Sequence, residues 1–372
     1  MSTMQCPTLN PLRILQIHKD FHPLKGGGGV SRHIHGLARA LGPLGCDVRI
    51  VAADADQIDS PYKSETALAL ELRHHVAWSD VVHIHNSRSG YAAIGAITSA
   101  LAGKPFLYTP HAFYEPRSVV NGLLKSAWDR SVERFVIENA AATILLTDAW
   151  FEFLRSRGIR AEKACIIPNC VLGSDFDSHS AESYGRLAGK PAILSVGRLD
   201  PVKRLDDVIE ALCRPGLREG HLHIVGKGND RPRLMAIAEA RGVTERVTFH
   251  GVVDDTNVVR MMAGSDVFVL ASEQEGLPTV LLEALIKDLP VVCTRIPGNL
   301  AITNVAGIDS TFEVGNVAEL AKLLASSVGQ SVPAGAGKAL RRAFTWEHWA
   351  PEILTLYRVA HEENQIKSRE AH

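Results

Sequence analysis

Two glutamates, Glu275 and Glu283, are separated by seven residues, almost all apolar, inside the stretch SEQEGLPTVLLEALIKDLPVV at positions 272–292. Carboxylates in a segment apolar enough to be buried are costly unless something pairs with them. They either cap structural amides or reach a cleft and hold a polar ligand. Pro278 suits the first position of a helix, where its missing N–H would have no intrahelical partner anyway. A helix from there to about Lys287 leaves the first-turn amides of Thr279 and Val280 free, and Gly276 permits a close approach. Glu283 lies one turn in, with its Cβ tilted back toward that end. A phosphate suits the amides, and sugar hydroxyls suit the two carboxylates.

A second constellation is cationic. SVGRLDPVKRLDDVIEAL places Arg198 just past an apolar run and Lys203 five residues later, near the start of a helical pattern. Cations there oppose the helix dipole, so a nearby anion is one explanation: Arg198 offers a fork and Lys203 a point charge. Solvated surface charge, with Asp200, Asp206 and Asp207 as partners, is the other. The third constellation is the run KGGGGVSRHIHGLARAL, whose glycines precede a helix and allow a ligand near the backbone. A dinucleotide fingerprint fails here. Seven residues separate His18 from Gly26, and reading Gly26-x-Gly28 puts Ser31 at the third glycine position. A surface loop without function is the plain alternative.

Short apolar runs alternate with helical patterns and would position these groups. RILQIH, DVRIVAA, DVVHIH, PFLYTPH and ATILLT read as strands in the first half. AILSVGR, HLHIVG, VTFHG, DVFVLAS and PVVCT repeat the grammar in the second. This alternation predicts an α/β fold with parallel sheets. The polar segment 172–190 is the linker candidate, which gives two domains with a ligand cleft at the carboxyl ends of their strands. A helix is expected from Leu123 to Ala142. Its Trp128, Lys125, Arg130 and Arg134 fit either packing on the first domain or a surface that meets a membrane-bound acceptor. His83 and His85 share a strand face, and His33 and His35 lie on the first helix. Core packing or cleft lining is the expectation for them, ahead of a metal cluster.

Composition narrows the class. With 372 residues, 46% of them hydrophobic, and 40 basic against 41 acidic residues, the chain has the make-up of a globular protein of two domains. It lacks the basic excess of a nucleic-acid binder. No apolar run reaches the roughly 18 to 20 residues that span a bilayer. The start lacks a signal-peptide layout, and the six cysteines show no paired spacing, so a reduced cytoplasmic setting is expected.

In order and spacing, these segments resemble the family-4 retaining glycosyltransferases (group 1) of GT-B fold. The resemblance rests on Gly28-Gly29-Val30, DVVHIH, His111 in TPHAF, IIPN, GRLDPVKR, HIVGKG, VTFHGVVDD and the two spaced glutamates, and it covers nearly the whole chain. It implies two Rossmann-like domains facing a cleft: an acceptor-binding domain over 1–172 and a nucleotide-sugar domain over 173–350. A terminal helix over 351–372 would cross back to the first domain. It implies transfer of a hexosyl group from a UDP- or GDP-linked sugar to a glycan or lipid-linked acceptor. The setting would be bacterial polysaccharide or lipopolysaccharide assembly, on the cytoplasmic side and with peripheral membrane contact at most. No cofactor and no metal are called for.

Residue by residue, the resemblance implies that Arg198 and Lys203 bind the donor diphosphate and stabilise it as leaving group. Glu275 would face the donor sugar, with the loop Gly276, Leu277, Pro278 and Thr279 near sugar and phosphate. Glu283 would hold the ribose hydroxyls, and the segment around Val252 would read the base. Gly28 and Gly29 would approach phosphate and acceptor, and His111 would sit beside the transferred sugar. The sequence departs from the family at Ile286-Lys287-Asp288, at Asn169-Cys170, and at PGNLAI, where two glycines and an acid are usual. Three rivals are a nucleotide-sugar epimerase of similar build, a non-catalytic sugar-nucleotide-binding subunit, and a glycosidase using the two glutamates as acid and base.

Overall fold

A computed structural model describes residues 11–23, 28–114, 119–174 and 185–370. Gly26 and most of the expected linker, 175–184, lie outside the described residues. The first sheet has the order β3-β2-β1-β4-β5-β6-β7, all parallel, and the second β10-β9-β8-β11-β12-β13, also parallel. This is the GT-B architecture of two parallel-sheet α/β domains.

The first sheet comprises β1 (Leu12–Phe21), β2 (Cys46–Ala55), β3 (Lys63–Thr66), β4 (Val81–His85), β5 (Phe106–Thr109), β6 (Ala142–Leu145) and β7 (Ala164–Ile166). Every residue of β4, β5 and β6 is buried, because helices cover both faces of a parallel sheet. That is why VVHIH can carry two histidines in an otherwise apolar run. Side chains of β1 alternate between two cores. Ile14 joins Ile34 and Leu37 of α1 (Gly29–Leu41), whereas Leu15 and Ile17 join Val82, Ile84 and Tyr108 on the other face.

The second sheet repeats the plan with β8 (Ala192–Val196), β9 (His221–Val225), β10 (Val247–Gly251), β11 (Val267–Leu270), β12 (Val291–Thr294) and β13 (Thr311–Phe312). In each sheet the strand order reverses beside the first strand, between β1 and β4 and between β8 and β11. Loops leaving strands at such a switch point diverge and open a crevice. Those loops carry Gly28–Gly29, Arg198–Lys203 and Glu275.

Two crossings join the domains and are bonded to each other. The Val171 amide donates to the Phe344 carbonyl, and the Trp346 amide donates to the Val171 carbonyl, each over 3.0 Å. The terminal helix runs over Trp346–Glu370, so it starts before the expected boundary at 351. It packs on α1 through Trp346, Ile353 and Tyr357. Gly36 of α1 makes this approach feasible, since a Cβ there would stand 2.4 Å from Trp346 Nε1.

The helix expected from Leu123 to Ala142 is divided. An α-helix covers Val119–Trp128 and a wider turn Asp129–Glu133, then helix resumes over Arg134–Asn139 and Ala142 already begins β6. The later part packs through Val136 and Ile137, as one of the two readings expected. The first part buries no residue, and Val119, Val120, Leu123 and Leu124 are all exposed.

Candidate active site

Lys203 ends a short turn, Pro201–Lys203, whose start is capped by Asp200 accepting from Val202 N at 3.1 Å. The three acids that could have made the basic pair mere surface charge are engaged elsewhere. Asp207 binds Arg204 at 2.6 and 2.9 Å, Asp206 binds Arg233 at 3.0 Å, and Asp200 caps its own turn. Lys203 Nζ instead reaches across to Glu275 Oε1 at 2.6 Å, where Ser272 Oγ also donates at 2.7 Å. Burial works against the Lys203 charge, yet Glu275 and then Tyr114 outweigh it, and its pKa stands above that of an ordinary lysine. Arg198 is exposed and close enough to bear on the charge of both Lys203 and Tyr114. Tyr114 comes from the first domain; burial and then the Glu275 charge raise its pKa. Its carbonyl is held by Arg88 Nη1 at 2.6 Å and Lys125 Nζ at 2.9 Å. Cations of the second domain and a phenol of the first thus share one region of the cleft.

The loop after Glu275 is fixed from three sides. A Cβ on Gly276 would lie 2.2 Å from the His111 carbonyl oxygen, so the two domains touch there at backbone distance. A Cβ on Gly298 would lie 2.7 and 2.6 Å from the carbonyl oxygens of Glu275 and Gly276. PGNLAI starts a helix (Pro297–Ala306) whose end abuts the loop. Asn169 Nδ2 donates to the Leu277 carbonyl at 2.6 Å, tying the hinge to the loop. Pro278 is the cap, one position earlier than expected, and the helix runs over Thr279–Ile286. Thr279 Oγ1 lies 3.5 Å from where a Gly29 Cβ would stand, whereas nothing lies within 4 Å of one on Gly28.

Glu283 lies on that helix as expected, but a cation already occupies it. Arg32 of α1 places Nη1 2.7 Å from both Glu283 oxygens, and its Nη2 lies 2.6 Å from Asp255 Oδ1. Nothing near Arg32 in the sequence signals this, because the partner is 251 residues away. Val252 follows Gly251, the end of β10, and is exposed; Asp255 opens the next helix (Asp255–Ala263).

His111 adopts φ 64°, and its ring is turned inward, leaving it 6% exposed. The backbone carbonyl of His111 meets the second domain at Gly276, and its ring packs on His85 and His33. Burial first, and then neighbouring imidazoles, push the pKa of His83, His85 and His111 well below the usual value, so the rings are neutral. His85 Nε2 then donates to Gln16 Oε1 at 2.7 Å, and His111 Nε2 donates to His85 Nδ1 at 3.1 Å. His33, His85 and His111 form a grouping whose ring nitrogens lie within 4.8 Å of one another. With its Nε2 proton given to Gln16, His85 keeps one ring lone pair, on Nδ1, and that lone pair faces His111 Nε2. His35 points elsewhere, to Tyr62 Oη at 2.6 Å.

A cavity of about 810 Å³ also opens between the domains, lined by Leu146, Pro168, Leu277, Lys338 and Arg342 among others. None of Arg198, Lys203, Glu275 and Glu283 borders it. Among the described residues no helix is long and apolar enough to cross a membrane.

Residues 178–330 match the family described as glycosyl transferases group 1, and residues 28–170 match a glycosyl transferase 4-like domain. The chain is 31% identical to alpha-D-kanosaminyltransferase of Streptomyces kanamyceticus over 232 residues, which is 58% of this chain and 60% of that protein. It thus spans less than two thirds of that relative's length. It is 26% identical to phosphatidyl-myo-inositol mannosyltransferase of Mycobacterium leprae, over 89% of this chain and 92% of that one. The solved structure of Anabaena HepE in complex with UDP and glucose superposes with a TM-score of 0.66 at 17% identity, covering 95% of this chain and 99% of that one.

Proposed function

Starting from the fact that this chain belongs to the group 1, family-4 glycosyltransferases, we propose that it transfers a sugar from a nucleotide diphosphate sugar to a hydroxyl of a glycan or lipid-linked acceptor, with retention of anomeric configuration. The observation that carries this reading is the convergence of Lys203, Arg198 and Glu275 with a helix N-terminus at the place where the two domains meet. That a relative of similar fold was solved with UDP and glucose supports a nucleotide-sugar donor.

The chemical demand is to stabilise charge developing on the leaving diphosphate. Lys203 has three donors and gives one to Glu275, which aims the ammonium and leaves two for phosphate oxygens. Arg198 adds a fork from the exposed side, and the free amides at Thr279 add the partial positive end of a helix. As the bond from anomeric carbon to phosphate oxygen breaks, its electron pair goes to the diphosphate. The acceptor oxygen bonds to the same carbon, and its proton passes to a phosphate oxygen, so no protein nucleophile is needed. Glu275, held by Lys203 and Ser272, faces the sugar. No metal and no cofactor enter this scheme.

A lipid-linked acceptor in bacterial envelope polysaccharide assembly is supported by the unburied apolar helix Val119–Trp128, which fits a membrane surface. The phosphatidyl-myo-inositol mannosyltransferase relative points the same way.

The test uses UDP-, GDP- and ADP-sugars. A bound donor raises the melting temperature, and Lys203→Ala lowers nucleoside diphosphate release about 10²- to 10³-fold if the ammonium acts like one oxyanion donor. Turnover close to wild type in that variant, or epimerised donor without any transfer, overturns the proposal.

A further inference from the structure

Arg32 holds Glu283 and Asp255 together from the opposite domain, and three features of this clasp need an explanation. First, Nη1 sits 2.7 Å from both Glu283 oxygens, which places it on the bisector of the carboxylate. A vicinal diol that gives one hydrogen bond to each oxygen approaches along the same line, so guanidinium and diol exclude each other by space. Second, the guanidinium has a second carboxylate, Asp255, at 2.6 Å through a different nitrogen. Loss of Glu283 therefore does not strand a buried charge, which is the usual reason that such a pair is hard to break. Third, Arg32 Nε is buried with no hydrogen-bond partner, so the clasp is not the arrangement that best satisfies this side chain.

We infer that Arg32 is the competitor that a nucleoside diphosphate must displace: it holds Glu283, yields that carboxylate to the ribose diol, and then rests on Asp255. The inference rests on the donor reading above. It makes Arg32 a gating residue with no part in bond breaking. Arg32 joins helix α1 to the helix at Thr279–Ile286 and so latches the cleft. On binding, Glu283 passes from a protein cation to a ligand, and the latch becomes a one-sided Arg32–Asp255 pair.

The two ends of the clasp then respond with opposite signs. Arg32→Gln frees Glu283, and UDP, GDP or ADP, whichever the wild-type chain binds, should bind about tenfold tighter, the factor suited to a partly exposed charge-assisted contact. Asp255→Asn removes the resting place, leaves Arg32 to grip Glu283 alone, and should weaken the same nucleotide several-fold. Dissociation constants come from titration calorimetry, with melting curves to show that each variant folds. Should Arg32→Gln fail to fold, Arg32→Lys, with a weaker single-point grip, should still bind more tightly than wild type.

A merely structural clasp would weaken binding in both variants, and a direct Arg32–phosphate contact would weaken it in Arg32→Gln. Either result overturns the inference, as does an unchanged constant. The donor reading fails separately: a wild-type chain that binds none of the three nucleotides overturns that reading and, with it, this one. A wild-type chain that binds one of them, with no gain in Arg32→Gln, overturns the gate alone.

Discussion

Gly276→Ala is the smallest change that probes the closed cleft. The new methyl would stand 2.2 Å from the His111 carbonyl oxygen, whereas real Cβ atoms essentially never approach closer than 3.0 Å. At least 0.8 Å must therefore be made up by movement. Gly276 does not have a left-handed φ, so alanine meets no backbone penalty of its own, and the effect comes chiefly from this contact, with the tip of Leu146 at 3.3 Å a lesser one. Neither wall gives way easily. Behind the loop, Asn169 grips the Leu277 carbonyl at 2.6 Å and Gly298 already packs on the Glu275 and Gly276 carbonyls. On the other side, His111 is held by its ring on His85 at 3.1 Å, and the next amide, Ala112 N, donates to Pro110 O at 2.9 Å.

The strain is relieved most readily by opening the two domains at this point. A displacement near 1 Å between reacting groups costs about 100-fold in rate, while overpacking of one methyl costs about 1–3 kcal/mol of stability. Gly276→Ala is therefore expected to fold, melt a few degrees lower, and release nucleoside diphosphate from its sugar donor about 100-fold more slowly. Initial rates with saturating donor, together with thermal unfolding, separate the two effects. Rates within a few-fold of wild type would refute the reasoning, because the backbone contact would then not belong to the working geometry.

Gly28 gives the complementary case: with nothing within 4 Å of its Cβ, Gly28→Ala should leave the melting temperature unchanged, yet raise the KM for donor or acceptor if a ligand approaches there. An unaltered KM would remove Gly28 from the site. For His33, burial pushes the pKa down to about 3, so between pH 6.5 and 5 the unfolded chain takes up a proton that the folded chain refuses. Stability falls as the pH falls through that window, by about 2 kcal/mol for this one ring. Denaturant melts at pH 7 and pH 5 should show His33→Gln losing that much less on acidification, and an identical loss would place the proton uptake elsewhere. Leu123→Glu with Leu124→Glu should abolish co-sedimentation with anionic vesicles at unchanged melting temperature, whereas retained binding would show that this helix is not the contact.

The sheets were legible because parallel strands are short, apolar on both faces and regularly spaced, as in RILQIH and DVVHIH. The spacing of Glu275 and Glu283 pointed to one helix end, and that helix exists. Contacts that join distant segments were not legible. Arg32 is one charge on a helix start, and only the fold brings it to Glu283 and Asp255. Asn169 was visible as a family motif, but its grip on the Leu277 carbonyl depends on how the hinge packs. Ser272 and Tyr114 carried no pattern at all. The terminal helix begins at Trp346 because the Val171 crossing fixes its first turn, a long-range bond with no local signal. The helix expected from Leu123 left out Val119 and Val120, and apolar spacing alone does not say what covers Leu123 and Leu124.

Two kinds of cross-domain contact line the cleft beside the hydrogen bonds of the hinge, and the distinction bears on how the cleft works. Gly276 on the His111 carbonyl is a close backbone approach, and Gly29 lies beside the Thr279 hydroxyl; neither offers a ligand a charged group in exchange. They set how near the domains can come. Arg32 on Glu283 and Lys203 on Glu275 are charged, and the second lies within one domain. The Arg32 clasp is thus a charged cross-domain contact whose partner, Glu283, suits a sugar hydroxyl. A ligand that takes Glu283 weakens the clasp but leaves the glycine contacts intact, so binding can loosen the grip between domains without changing their distance of approach. Closure and ligand capture are then set by different residues, and substitutions at Gly276 and Arg32 should alter rate and affinity separately.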